Sequence, residues 1–131
     1  MDQSIKEYYI NSIYNCAEMM LILANRDFEL KISNETIKLF SGFGNGLHTE
    51  NVCGVITGGI AVLSKIFVKG ETLKAATVEF QEKVGENLSS TMCKDIKLLH
   101  REERNKCGEV IDKSYMILRN IIYKYREKVS K

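Results

Sequence analysis

Four cysteines, Cys16, Cys53, Cys93 and Cys107, are the residues of this chain best equipped to do chemistry. Their spacing is C-x36-C-x39-C-x13-C. No Cys-x-x-Cys is present, which argues against a thioredoxin-like pair and against the short paired spacings of a structural zinc site. Four thiolates can hold an iron–sulfur cluster, most naturally a two-iron one, and surrounding dipoles and burial then set its potential. Thiol–disulfide exchange is the alternative, with Cys93 and Cys107 as the pair closest in sequence and Cys16 with Cys53 as the other. Exchange needs a thiolate favoured by a helix N-terminus or a nearby cation. Cys53, Cys93 and Cys107 lie near expected helix starts, and Lys94, Arg104 and Lys106 are close in sequence. In a third reading the cysteines only pack, as small hydrophobes.

Glycines surround the second cysteine. It opens the run Cys53-Gly54-Val55-Ile56-Thr57-Gly58. A glycine inside a helix costs about 1 kcal/mol relative to alanine. Gly54 and Gly58, one turn apart, therefore imply the close approach of another helix or of a cofactor. Gly42, Gly44 and Gly46 alternate in the segment before it, as in a loop with unusual backbone angles. On the cluster reading these glycines leave room for inorganic sulfide and let backbone amides reach the sulfurs. The loop lacks the Gly-Lys-Ser/Thr ending of a P-loop, and no strand precedes it. His48, five residues before Cys53, is the accessory candidate for a metal or a proton. His100, beside Arg101-Glu102-Glu103, reads as a solvated side chain. No serine–histidine–acid set or carboxylate pair stands out.

The elements that must position these residues read as helices. Ile5, Tyr9, Ile13, Cys16, Met20 and Leu23 recur at three- and four-residue spacing, which predicts one long helix over residues 3–25. Ser33 caps a short second helix through Phe40. Thr49 or Asn51 caps the third, with Cys53, Ile56, Ile60, Leu63 and Phe67 inward and a stop at Lys69-Gly70. Residues 71–84 form the fourth helix, closing at Gly85. A fifth, capped near Ser89 or Ser90, turns Met92, Cys93, Ile96 and Leu99 inward. The last, from about Arg104 to Lys128, buries Cys107, Ile111, Ser114, Leu118, Ile121 and Tyr125. These elements make an all-α compact bundle of five to six helices, with a glycine-rich loop before the central helix.

The 131 residues form a single domain, 1–131, and contain no proline, which favours helices. A chain of this length buries roughly 65–70% of its unfolded surface, so it needs no metal or disulfide merely to fold. The net charge is +2. Residues 94–131 carry 11 Lys/Arg against 6 Asp/Glu, but the signs interleave as on a solvated helix face, and nucleic acid is not expected as a partner. No signal peptide and no membrane span is expected, so the expected compartment is the cytoplasm, where thiols stay reduced. If the cysteines only pack, Tyr115, Ile122, Tyr123 and Tyr125 offer a surface for a partner or for a second copy as a homodimer.

Tyr14-Asn15-Cys16-Ala17-Glu18, Gly42-Phe43-Gly44-Asn45-Gly46, Cys53-Gly54-Val55-Ile56-Thr57-Gly58-Gly59, Thr91-Met92-Cys93 and Lys106-Cys107 follow one another in a familiar order. Over roughly residues 10–115 the chain resembles the small helical redox-active proteins named for a C-GCAxxG-C-C signature. Val55 stands where that pattern has alanine, and Asn45 interrupts a loop that is usually more purely glycine. The resemblance implies that Cys16, Cys53, Cys93 and Cys107 form one redox-active set centred on Cys53, working with an unknown redox partner. The module is also similar to the N-terminal region of split-Soret-type cytochromes, which implies a cysteine-ligated iron–sulfur centre. No Cys-x-x-Cys-His is present, so haem attachment is not expected.

Overall fold

The computed structural model describes residues 1–130. Six α-helices carry the fold: α1 (Cys16–Phe28), α2 (Asn34–Lys38), α3 (Gly54–Ile66), α4 (Glu71–Leu88), α5 (Cys93–His100) and α6 (Gly108–Ser130). A wide helical turn, Ile5–Ile10, precedes α1, and shorter turns at Ser41–Phe43 and Gly46–Glu50 lie between α2 and α3. Strand pairing among the described residues is confined to two isolated bridges. The protein is all-α, as its periodicity predicts. No helix among the described residues is long and apolar enough to cross a membrane.

α3 is the central helix, touching α1, α4 and α6, and its contact with α1 is the most extensive in the molecule. Glycine makes that contact possible. A Cβ placed on Gly58 would collide with the carbonyl of Ala17 in α1, and one on Gly54 would collide with the sulfur of Cys16. On the opposite side, Gly59 leaves space that the Phe80 ring of α4 fills. The helix cost of these glycines is offset by backbone-to-backbone packing that no larger residue allows.

α6 reads as its sequence predicts, with Ile111, Ser114, Leu118, Ile121 and Tyr125 all buried. Each large apolar side chain removed from water in this way contributes about 1.5–3 kcal/mol. Tyr115, Ile122 and Tyr125 are also buried, so of the suggested partner surface only Tyr123 is left exposed.

Several boundaries differ from the sequence expectation: α2 ends at Lys38 and α3 at Ile66, each earlier than expected, and α5 has Met92 as its N-cap residue rather than Ser89 or Ser90. The first helix is not continuous: Ser12 takes a left-handed backbone (φ 63°), the chain breaks, and α1 begins afresh at Cys16. Ile13, expected on the buried stripe, is 58% exposed. Cys53, not Thr49 or Asn51, is the N-cap residue of α3. α4 runs straight through Gly85 to Leu88, because Leu88 is fully buried and the chain turns only at Ser89 (φ 67°). α6 begins at Gly108 rather than Arg104, since Glu102 and Lys106 exchange backbone hydrogen bonds of 2.9 and 2.8 Å in a tight turn just before Cys107. Leu99 points outward from α5 instead of inward.

Candidate functional site

These shifted boundaries share one consequence. Every cysteine sits at a helix N-terminus: Cys16 opens α1, Cys53 caps α3, Cys93 opens α5, and Cys107 immediately precedes α6. All four line a single cavity of about 110 Å³, together with Tyr9, Asn15, Asn45, Ile96, Lys97, Arg101 and Val110. Cys53 and Cys93 are buried, Cys16 and Cys107 partly so, and all four are free thiols.

Polar contacts between distant segments hold each corner. At Cys16 the Asn15 side chain accepts the Glu18 amide at 2.8 Å, and the Glu18 carboxylate accepts the Asn15 amide at 2.9 Å. This reciprocal cap starts the helix at that residue. The Asn15 side-chain amide also donates to the carbonyls of Phe40 and Ser41, which pins the glycine loop beside Cys16. Cys53 and Cys93 are tied as a pair: the Cys53 amide donates to the Thr91 carbonyl at 2.9 Å, and the Cys93 amide to the Asn51 carbonyl at 2.6 Å. The Cys107 amide donates to the Tyr9 hydroxyl at 3.2 Å.

The loop glycines play unequal parts. Gly46 has φ +59°, and a Cβ there would lie 2.6 Å from that of Cys93, so both its backbone and its neighbour require glycine. Gly44 packs against the Asn15 side chain. Gly42 faces open space. Asn45 takes the left-handed conformation (φ 51°) and reaches into the site. Its side-chain oxygen accepts the Lys97 ammonium at 2.9 Å and the Cys93 thiol at 3.8 Å. His48 is exposed and is not part of the cavity wall, and His100 instead bonds the Leu88 carbonyl at 2.9 Å.

The electrostatics pull two ways. Desolvation pushes the Cys16 thiol up to about 11, against a hydrogen bond from the Asn45 backbone amide to its sulfur. Burial, and then the neighbouring Cys16, raise Cys53, against the amide of Val55. Burial also raises Cys93, opposed by the charge of Lys97. Each helix N-terminus adds roughly half a positive charge. Lys97 and Arg101 add more, and no carboxylate lines the cavity. The wall is thus ready to receive negative charge, while burial favours the protonated thiol at Cys16, Cys53 and Cys93. Among the described residues, no three His, Cys, Asp or Glu side chains are grouped closely enough to hold a metal ion as they stand.

The cysteines, Gly46, Gly54 and Gly58 were visible in the sequence as candidates. That Tyr9, Asn15, Lys97 and Arg101 line the same cavity is not legible in the sequence. Only Asn15 left a local signal, the spacing to Glu18 of a capping box. No curated protein and no solved structure matches the chain. The profile of the family described as "Putative redox-active protein (C_GCAxxG_C_C)" matches residues 14–121, which include all four cysteines, and the chain belongs to that family.

Proposed function

We propose that the four cysteines hold an iron–sulfur centre and that the protein exchanges electrons through it. The observation that carries this reading is the shared cavity: four free thiols from four separate helix N-termini line one space. At about 110 Å³ it is small beside the 300–1,000 Å³ of organic-ligand pockets, and suits a compact inorganic body. A single tetrahedral ion would need its thiolates about 3.8 Å apart, given metal–sulfur bonds near 2.3 Å.

Bound there, such a centre supplies one-electron redox chemistry. The chain's own residues do the rest. Cys16, Cys53, Cys93 and Cys107 act as ligands once deprotonated. The Asn45 and Val55 amides donate to the Cys16 and Cys53 sulfurs. Lys97 and Arg101 offset the negative charge, formally about −2 for an oxidised centre with four thiolates. Tyr9 and Ile96 complete the cavity wall. The same observations weigh against metal-free exchange, which needs depressed thiol pKa values. Here Cys16, Cys53 and Cys93 are all raised. The reading fits a reducing compartment such as the cytoplasm.

Anaerobic purification, followed by iron and acid-labile sulfide analysis, tests the proposal. Stoichiometric iron and sulfide are expected, falling in each Cys→Ser variant. A colourless protein that takes up neither on anaerobic reconstitution, with four titratable thiols, would sink it.

A further inference from the structure

The wall of the four-cysteine cavity continues onto the outer surface of α5. Lys94, Lys97 and Leu98 fall at i, i+3 and i+4, so they stand side by side along one face, and Arg101 follows as the C-cap residue of the helix. Lys97 and Arg101 line the cavity itself. Lys94 and Leu98 lie just outside it, and Leu98 is 85% exposed while Cys93 and Ile96 of the same helix are buried. Lys97 is held by Asn45 at 2.9 Å and Glu50 at 3.3 Å. Lys94 and Arg101 have no ion-pair partner among the described residues. The one acid on this helix, Asp95, lies on its other flank, bonded to the Ser90 hydroxyl at 3.1 Å.

An exposed leucine with two unpaired cations, Lys94 and Arg101, the latter also lining the cavity, is a surface of particular chemistry. We infer that this face of α5 is the docking site for an acidic electron-carrier protein. The inference rests on the redox reading of the cavity. Carboxylates on the carrier complement Lys94 and Arg101 and steer the encounter. Leu98 supplies a small anchor that loses water on contact. Because Lys97 and Arg101 belong to both the face and the cavity wall, a carrier seated here is separated from the cysteines only by that wall. One helix face this size suits a transient complex of the kind redox proteins form, under about 1,200 Å².

The test is a titration of the nitrogen-15-labelled full chain, as purified, with a plant-type two-iron ferredoxin as the acidic carrier. Cytochrome c, a basic carrier, is run at the same ionic strength. Amide signals of residues 94–101 are expected to respond to the acidic carrier and not to the basic one. Affinity is expected to fall about tenfold as salt rises from about 20 to 200 mM. Lys94→Glu and Leu98→Ser, both outside the cavity wall, should each weaken binding about tenfold with an unchanged circular dichroism spectrum. Responses away from α5, an equal response to cytochrome c, or no binding of the ferredoxin at low salt would overturn the inference. So would a concentration-dependent dimer that Leu98→Ser dissolves, since the face would then belong to a second copy. Binding is read separately from iron content. Intact binding without iron uptake counts against the cluster alone, and iron uptake without binding counts against the docking face alone.

Discussion

Gly58→Ala and Gly85→Ala add the same methyl group to two helices and should move stability in opposite directions. Both positions are helical. At Gly85 the new Cβ would lie 3.4 Å from the Thr91 methyl, an ordinary contact. The substitution should therefore return much of the helix-propensity difference, up to about 1 kcal/mol. At Gly58 the new Cβ would collide with the Ala17 carbonyl and lie 3.0 Å from the carbonyl carbon and Cα of the same residue. Those are backbone atoms of a packed helix and cannot rotate away, so α1 must move as a body. Overpacking of this kind costs about 1–3 kcal/mol, and a clash with backbone belongs at the upper end; set against a propensity gain of up to about 1 kcal/mol, the net loss is up to about 2 kcal/mol. In a chain of this length each kcal/mol shifts the thermal midpoint by roughly 3–5 °C. Paired urea and thermal melts should place Gly85→Ala above the parent protein and Gly58→Ala below it. Displacing α1 from α3 also moves Cys16, the first residue of α1, relative to Cys53 at the start of α3, so on the cluster reading Gly58→Ala should lower bound iron and sulfide, whereas Gly85→Ala should not. A Gly58→Ala protein as stable as the parent, with full iron content, would refute the claim that glycine sets the distance between α1 and α3.

Asn15→Ala removes the α1 cap, the donor to Phe40 and Ser41, and a partner of the buried Glu18. It should cost about 1–2 kcal/mol in urea melts, while Asn15→Asp, which keeps the cap but loses the donor, should cost less. The metal-free protein should lose stability above pH 9. With the Cys16 pKa raised from 9.0 to about 11, the folded chain holds a proton that the unfolded chain releases between those values. The contribution is complete below pH 9 and is lost as pH rises toward 11, and Cys53 and Cys93, also raised, act in the same direction. Urea melts at pH 7, 9 and 10.5 check this, and a flat or rising trend would contradict it.

The helical class and most of the core were legible because α3, α4 and α6 carry uninterrupted apolar stripes. The ends of elements were harder to read. Ile13 and Cys16 continue the spacing of Ile5 and Tyr9, and periodicity alone could not show that Ser12 breaks the helix between them. The break is set by local hydrogen bonding at Asn15 and Glu18, which stripe counting does not register. Gly85 looked like a terminator because glycine often ends helices. Burial of Leu88 one turn later carries α4 through it. The cysteines were legible as a set, yet their place at helix starts was seen for three and missed for Cys16. Tyr9, Lys97 and Arg101 join the site only through folding. Cys107 meets Tyr9 across 98 residues of chain, and no local pattern encodes that meeting.

The corner contacts described above also bear on how the site comes into being. Cys53 and Cys93 are fastened to Thr91 and Asn51, Cys16 sits beside a loop that Asn15 pins to Phe40, and Cys107 hangs from Tyr9. None of these contacts can form until segments tens of residues apart have met, so the cavity is complete only when the chain has folded around it. A body bridging all four sulfurs would then act as a staple, closing chain segments of 36, 39 and 13 residues at one point. Such a cross-link strips entropy from the unfolded chain much as a disulfide does, by an amount that grows slowly with loop length. The protein would gain the rigidity of a cross-linked domain with every thiol still unoxidised, and would give it up when the bridging body is withdrawn.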